Sequence, residues 1–229
     1  MSNEVVAASH VDQTALATIL AQTGVSKYGS DDDFNKLSTS GGFLPRIMLM
    51  GANSTLVQEG KINQGCYGLV RAKDQCDDLG KEVPCLPLSW RSKAMEISDG
   101  DVISIYDRKN PEFDRIAEKS ETPDSGCMYG PEFLLWVPSA KCFATYYASS
   151  KTARREAPQI RNLIGKPTLL KSHLIKGKKF NWFGPVVTTC SQPFAFPSLE
   201  EILEEVTKFN NPPATDKEAA PADAAARVR

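Results

Sequence analysis

The sequence predicts a mainly β (α+β) domain, an antiparallel barrel with helical insertions and a C-terminal helix. Short apolar or alternating runs recur between residues 43 and 197, and Gly, Pro and Asp separate them, which is typical of antiparallel β-proteins. Two helical patterns interrupt the strands and a third follows them. The composition, 41% hydrophobic and 24% charged, is ordinary for a globular protein.

Four segments divide the 229 residues. Residues 1–42 are predicted to be an N-terminal appendage, with a short helix at 12–22 and a linker rich in Ser, Asp and Gly. Residues 43–197 are the β-rich body, and residues 198–210 an amphipathic helix. Residues 211–229 are rich in Pro, Ala and charge, which predicts a disordered tail.

The body contains ten candidate strands, each bounded by turn-forming residues. They cover residues 44–50, 66–72, 82–90, 94–97, 102–106, 133–137, 142–148, 168–175, 179–182 and 185–190. Such a density of short strands favours a barrel or a sandwich.

Two helices are predicted between the strands. Residues 111–120 begin with Pro and carry acids in the first turn, which favours a helix start. Residues 151–164 end before Gly165 and Pro167, which favours a helix stop, and Pro158 predicts either a later start or a kink. Because this helix precedes the closing strands, the layout is OB-like, although ten strands exceed the five of a simple OB barrel.

The C-terminal helix has a clear start signal. Ser198 and Glu201 match the S-x-x-E capping box. Its apolar stripe consists of Leu199, Ile202, Leu203, Val206 and Phe209. We expect this stripe to pack on the body or on a neighbouring copy. The sequence is therefore compatible with a monomer and with a homo-oligomer.

No membrane, metal or cofactor role is expected. The chain has no run of about 18 apolar residues and begins without a signal-peptide pattern, so we expect a cytoplasmic protein. Without a secretory signal, the six cysteines are expected to be reduced and mostly buried. No two of them have the spacing of a zinc site, and the chain has only two histidines.

The stretch 151–179 concentrates positive charge. It contains nine basic residues and one acid, a local charge of +8, while the rest of the chain carries −9. Aromatic residues border this stretch on both sides. A basic face with aromatic rings is typical of a protein that binds a polyanion, above all a single strand, whose bases stack on rings while cations follow the phosphates.

The predicted nucleic-acid contacts follow from this pattern. Adjacent aromatics on a strand point to opposite faces, so at most one of each pair lies in the core. The predicted phosphate contacts are Lys151, Arg154, Arg155, Arg161, Lys171, Lys176, Lys178 and Lys179. The predicted stacking residues are Tyr147, Trp182 and Phe183.

Three segments carry a resemblance to a known family: DSGCMYGPE (124–132), SKTARREA (150–157) and KKFNWFGP (178–185). With them, residues 43–213 resemble tailed-phage proteins of replication and recombination gene clusters. The resemblance implies an OB-type single-stranded DNA-binding protein. It also implies single-stranded DNA as partner, with replication or recombination proteins beside it.

Motifs of the common enzyme classes are missing from the sequence. It has no P-loop, no G-x-G-x-x-G, no G-x-S-x-G and no H-E-x-x-H, so a non-enzymatic role is expected. A metal-dependent nuclease stays open through the acids Asp99, Asp101, Asp107, Glu112 and Asp114, although a turn and a helix start explain them more simply. A virion decoration or assembly protein without nucleic-acid binding is the other alternative.

Overall fold

The computed structural model describes residues 44–72, 75–98, 101–192 and 195–211. The predicted N-terminal appendage at 1–42 and all of the predicted tail except Asn211 therefore lie outside the described residues. The strands are β1 Arg46–Leu49, β2 Tyr67–Ala72, β3 Gln75–Gly80, β4 Glu82–Ser98, β5 Asp101–Tyr106, β6 Cys127–Val137, β7 Cys142–Tyr147, β8 Thr168–Lys176 and β9 Asn181–Thr189. The helices are α1 Thr55–Gln58, α2 Phe113–Lys119, α3 Lys151–Asn162 and α4 Leu199–Asn210.

The strands form one mixed sheet, so the mainly β prediction is confirmed. Their order is β3-β2-β1-β7-β6-β4-β8-β9, and β5 pairs with β4 beside this path. The sheet departs from the predicted antiparallel arrangement at one place, because β1 runs parallel to β7. Within the described residues the path is also open, with β3 and β9 at its two ends. The ladders therefore do not close a barrel.

The long strand β4 connects the two parts of the sheet. Its first four residues, Glu82 to Cys85, pair with β8, whereas the stretch from Leu86 to Glu96 pairs with β6. An irregularity in register lies between Pro87 and Ser89, where proline lacks the N–H that a regular ladder needs. Strand β4 therefore pairs at its start with β8, which forms a hairpin with β9, and over the rest of its length with the larger sheet.

Separate apolar clusters hold the helices α3 and α4 against the sheet. Helix α3 contributes Ala153, Ala157 and Ile160 to the main cluster, which also contains Leu170 of β8 and Val187 of β9. The helix runs through Pro158 and does not start there. None of the helices in the described ranges is long and apolar enough to cross a membrane.

Helix α4 packs on the other side of β4. Its buried residues Ile202, Val206 and Phe209 contact a cluster that includes Leu86 and Leu134. Burial of each such side chain stabilises the folded state by about 1.5–3 kcal/mol. In the described residues the predicted stripe of the helix therefore packs on its own body.

A buried ionic network also secures the end of α4. Glu132 on β6 accepts hydrogen bonds from the Arg91 guanidinium (2.8 Å) and the Lys93 ammonium (2.8 Å), both on β4. Arg91 also donates to the carbonyl oxygen of Phe209 at 2.7 Å and lies 4.2 Å from the centre of its ring. Burial alone would raise the pKa of Glu132, but Lys93 and Arg91 lower it to about 2.

Candidate nucleic-acid interface

The last part of the predicted basic stretch forms a hairpin. Strands β8 and β9 pair over nine positions, from Thr168↔Thr189 to Lys176↔Asn181. The tip turns through Lys178 and Lys179, and the N–H of Gly177 donates to the carbonyl oxygen of Phe180 at 3.1 Å. Apolar and β-branched residues in both strands, with Gly177 in the turn between them, explain why this segment forms a hairpin.

The outer half of this hairpin extends past the sheet. Strand β4 pairs with β8 only through Thr168 to Lys171, and the N–H of Ser172 then donates to the carbonyl oxygen of Lys81 at 2.9 Å. Beyond that bond, β8 and β9 pair with no third strand in the described part of the chain. We call residues 173–184 the hairpin arm. Its four remaining pairs correspond to a length of about 13 Å at 3.3 Å per residue.

Gly65 and Tyr67, which precede and begin β2, also anchor the base of the arm. The hydroxyl of Ser172 donates to the carbonyl oxygen of Gly65, and the phenol of Tyr67 donates to that of Lys171 at 3.1 Å. Gly65 has a φ of +82°, and a Cβ there would lie 2.5 Å from the ring of Phe183. A glycine is needed at this position because the ring packs directly on the backbone.

Trp182 and Phe183 lie on opposite faces of the arm, as the strand period predicted. Trp182 shares the outer face with its pairing partner Ile175. Phe183 shares the inner face with Leu174, and the Lys81 ammonium lies 5.6 Å from the centre of its ring. Each face therefore presents one of the predicted stacking residues.

Phe180, at the tip, is the most exposed of the arm's rings. It is 69% exposed, and its centroid lies 5.7 Å from that of Trp182 at an interplanar angle of 56°. The Trp182 ring in turn covers Gly177, where a Cβ would lie 2.6 Å from it. Phe180 is not among the predicted nucleic-acid contacts. Its position two residues before Trp182 is the sequence signal that could have identified it.

Exposed lysines surround these rings. Lys176, Lys178 and Lys179 are exposed and form no ion pair with any described residue. Lys171 pairs with Glu82 at 3.1 Å, and both side chains stay largely accessible. Lys81 comes from the turn between β3 and β4, so only the fold brings it to this site.

The predicted cations on α3 form a second, separate group. Lys151, Arg155 and Arg161 are exposed, and the Arg161 guanidinium lies 5.8 Å from the centre of the Trp90 ring. Helix α3 packs at the base of the hairpin, beside Val187, which is about 20 Å along β9 from the tip. The nine basic residues therefore do not form one continuous strip.

Two predicted contacts have partners inside the protein. The guanidinium of Arg154 donates to two backbone carbonyls and, at 2.5 Å, to Glu121. The phenol of Tyr147 donates to the carbonyl oxygen of Lys93 at 3.1 Å, and burial raises its pKa. These groups hold the fold together, so we leave both residues out of the interface.

The acids proposed as a nuclease site have local roles where they are described. Asp107 accepts from the backbone N–H groups of Lys109 and Asn110, and Glu112 pairs with Arg115. Asp99 and the side chain of Asp101 are not described. Among the described residues, no three His, Cys, Asp or Glu side chains are grouped to hold a metal.

The six cysteines are all free. Cys66, Cys85 and Cys127 are buried, and the other three are half-buried.

A groove of about 680 Å³ lies elsewhere, between β7 and the start of α4. Trp136 and Phe143 form an aromatic corner in it, with ring centroids 5.1 Å apart. None of the predicted nucleic-acid contacts lines this groove.

Comparison of the chain with protein-family models, with curated proteins and with solved structures finds no match.

Proposed function

We propose that this protein is a non-enzymatic, sequence-tolerant single-stranded DNA-binding protein, with the hairpin arm as its principal contact. The observation that carries the proposal is the exposed ring of Phe180, which packs against the half-buried Trp182 and is surrounded by three exposed lysines without an ion-pair partner among the described residues. Exposed rings offer a stacking surface to unpaired bases, and lysines offer charge to phosphates. Neither the Phe180 ring nor these lysines belong to the buried core.

A single strand fits this surface better than a uniform duplex. In a duplex the base faces are already stacked, so rings such as those of Phe180 and Trp182 find no free partner along its length. A single strand exposes every base, and each ring–base contact contributes about 1–3 kcal/mol. Since all bases have a stacking face, the resulting affinity depends little on sequence.

The order of elements supports the same proposal. In OB folds, oligonucleotides bind one face of the sheet together with hairpin loops that include the one between the last two strands. Here α3 precedes β8 and β9, the last two strands of the sheet, and the arm is their loop end. We therefore propose an OB-like arrangement in which the arm takes the place of that loop. The resemblance to phage proteins supports a role in DNA replication or recombination.

The first experiment is a fluorescence titration with a dT oligonucleotide of about thirty nucleotides at several salt concentrations. Trp182 lies at the proposed contact, so binding of the oligonucleotide should quench the tryptophan fluorescence. The quenching should saturate as oligonucleotide is added. If the five lysines of the site, Lys81, Lys171, Lys176, Lys178 and Lys179, each neutralise a phosphate, the slope of log affinity against log salt approaches about −3.5.

A matched pair of double variants tests the lysines. Changing Lys178 and Lys179 to Gln should weaken binding to all sequences alike and reduce the salt slope by about 1.4, because two phosphate contacts are lost. The control changes Lys119 and Lys141 to Gln, which are exposed on other elements. Equal effects of the two double variants, or an absence of binding by the unchanged protein, would refute the proposal.

A further inference from the structure

Each face of the hairpin arm carries one half-buried aromatic ring. The outer face carries Trp182 and Ile175, with Lys171, which pairs with Glu82, at its base. The inner face carries the exposed Leu174 and Phe183, whose ring packs on Gly65. Lys176 shares the inner face at the far end of the ladder, and Lys81 lies over Phe183. A protein that binds one strand needs a ring and cations on one face only. The arm carries a ring on each face, and its exposed lysines lie at the tip, at Lys178 and Lys179, and on the inner face at Lys176.

The tip between these faces is braced. Phe180 packs against Trp182, the Trp182 ring covers Gly177, and the N–H of Gly177 bonds to the carbonyl oxygen of Phe180. A ring that is supported from behind in this way keeps its orientation when it meets another flat group. Because the arm extends past β4, the sheet does not obstruct an approaching duplex end on the tip side.

We propose that the arm is a wedge for the junction between single-stranded and double-stranded DNA. Phe180 stacks on the last base pair, and the two strands separate over the tip, one toward Trp182 on the outer face and one toward the exposed Lys176 and Leu174 on the inner face. Terminal pairs open by thermal motion, and stacking and phosphate contacts hold the open form, so no energy source is needed. Proteins that insert apolar side chains at base steps offset the cost of unstacking by such contacts. This inference rests on the proposed function.

The test uses a forked duplex with 2-aminopurine at the junction pair, because this base becomes more fluorescent when it unstacks from its neighbours. We expect a fluorescence increase on binding, and an affinity for the fork at least several-fold above that for dT of equal length. Phe180→Ala should lose most of the increase and lower fork affinity roughly fivefold to a hundredfold, the range for one lost stack.

Three further variants make the result specific. Phe180→Trp should retain the fluorescence increase, since it keeps a ring. Ile103→Ala, at a residue 62% exposed on β5, is the matched control and should change nothing. Since Phe180 is 69% exposed, its variants should fold, and circular dichroism checks this.

The outcomes separate this inference from the proposed function. Tight binding to dT with no preference for the fork and no 2-aminopurine signal would overturn the wedge and leave single-strand binding intact. A signal that persists in Phe180→Ala would also overturn it. Binding to neither DNA would refute both proposals together.

Discussion

The buried carboxylate of Glu132 gives the strongest test of the fold. It is 3% exposed and lies between Arg91 and Lys93, and Arg91 also binds the last turn of α4. Replacing Glu132 by Gln keeps the shape of the side chain and removes its charge. Two cations then remain in a nearly dry site without their counter-charge.

The expected cost follows from the pKa. Lowering the pKa of Glu132 from 4.5 to about 2 corresponds to roughly 3 kcal/mol of stability, at about 1.4 kcal/mol per pH unit. Breaking a buried pair typically costs about 3–5 kcal/mol. The stability loss expected from the pKa therefore agrees with the loss typical of a broken buried pair. For a chain of this size the melting temperature should fall by roughly 6–20 °C.

The pH dependence has a definite sign. Because the folded pKa of Glu132 lies below its ordinary value, the stabilisation is complete above about pH 4.5 and is lost as the pH falls toward 2. The unchanged protein should therefore lose stability steeply over this window. Glu132→Gln should start lower and show a flatter profile there.

Urea denaturation followed by circular dichroism between pH 2.5 and 7 measures both effects. The control is Glu204→Gln, since Glu204 pairs with Lys208 on the surface of α4 and such pairs contribute about 0–1 kcal/mol. If Glu132→Gln costs no more than this control, or if its pH profile matches that of the unchanged protein, the network does not stabilise the fold as described.

Two further changes test local packing. Trp90→Phe should alter the free energy of unfolding by less than about 1 kcal/mol. The buried indole N–H has no hydrogen-bond partner among the described residues, and the relief of about 1–3 kcal/mol from its removal offsets the packing lost with the smaller ring. Urea denaturation measures this, and a large loss would reveal a missing partner. Gly177→Ala should displace both the Trp182 ring and the Phe180 carbonyl oxygen, because an added Cβ would lie 2.6 Å from the first and 2.5 Å from the second. The Trp182 emission should therefore shift, and dT binding should weaken. An unchanged emission maximum would contradict the packing of that ring on the tip.

Local signals predicted three of the four described helices and missed the short α1, Thr55–Gln58. The capping box at Ser198 and Glu201 is present, with the Ser198 hydroxyl 3.2 Å from the N–H of Glu201. Pattern and capping depend on neighbours in the sequence, so they can be read before folding. The alternation of Trp182 and Phe183 between faces was predictable for the same reason.

Features that depend on distant partners were not predictable. Strand β4 was divided in two because Arg91 and Lys93 interrupt its apolar pattern, and their partner Glu132 lies about forty residues away. The predicted strand 133–137 misses the first half of β6, because Gly130 is a turn signal in the sequence, whereas in the fold its missing side chain allows the close approach of the Ala148 carbonyl oxygen. Lys81 joined the site through the same kind of long-range contact.

The lysines of the arm have a second physical explanation, which the experiments must separate from DNA binding. Strand β9 ends the described sheet, and lysines at a sheet edge prevent unwanted strand pairing between molecules. That role extends to Lys178 and Lys179, in the turn that leads into β9, but not to Phe180, because an exposed ring at an edge promotes the association that lysines suppress. Light scattering on the double lysine variant measures the protective role directly. A variant that stays monodisperse and loses DNA affinity attributes the lysines to binding, whereas one that aggregates and still binds DNA attributes them to edge protection.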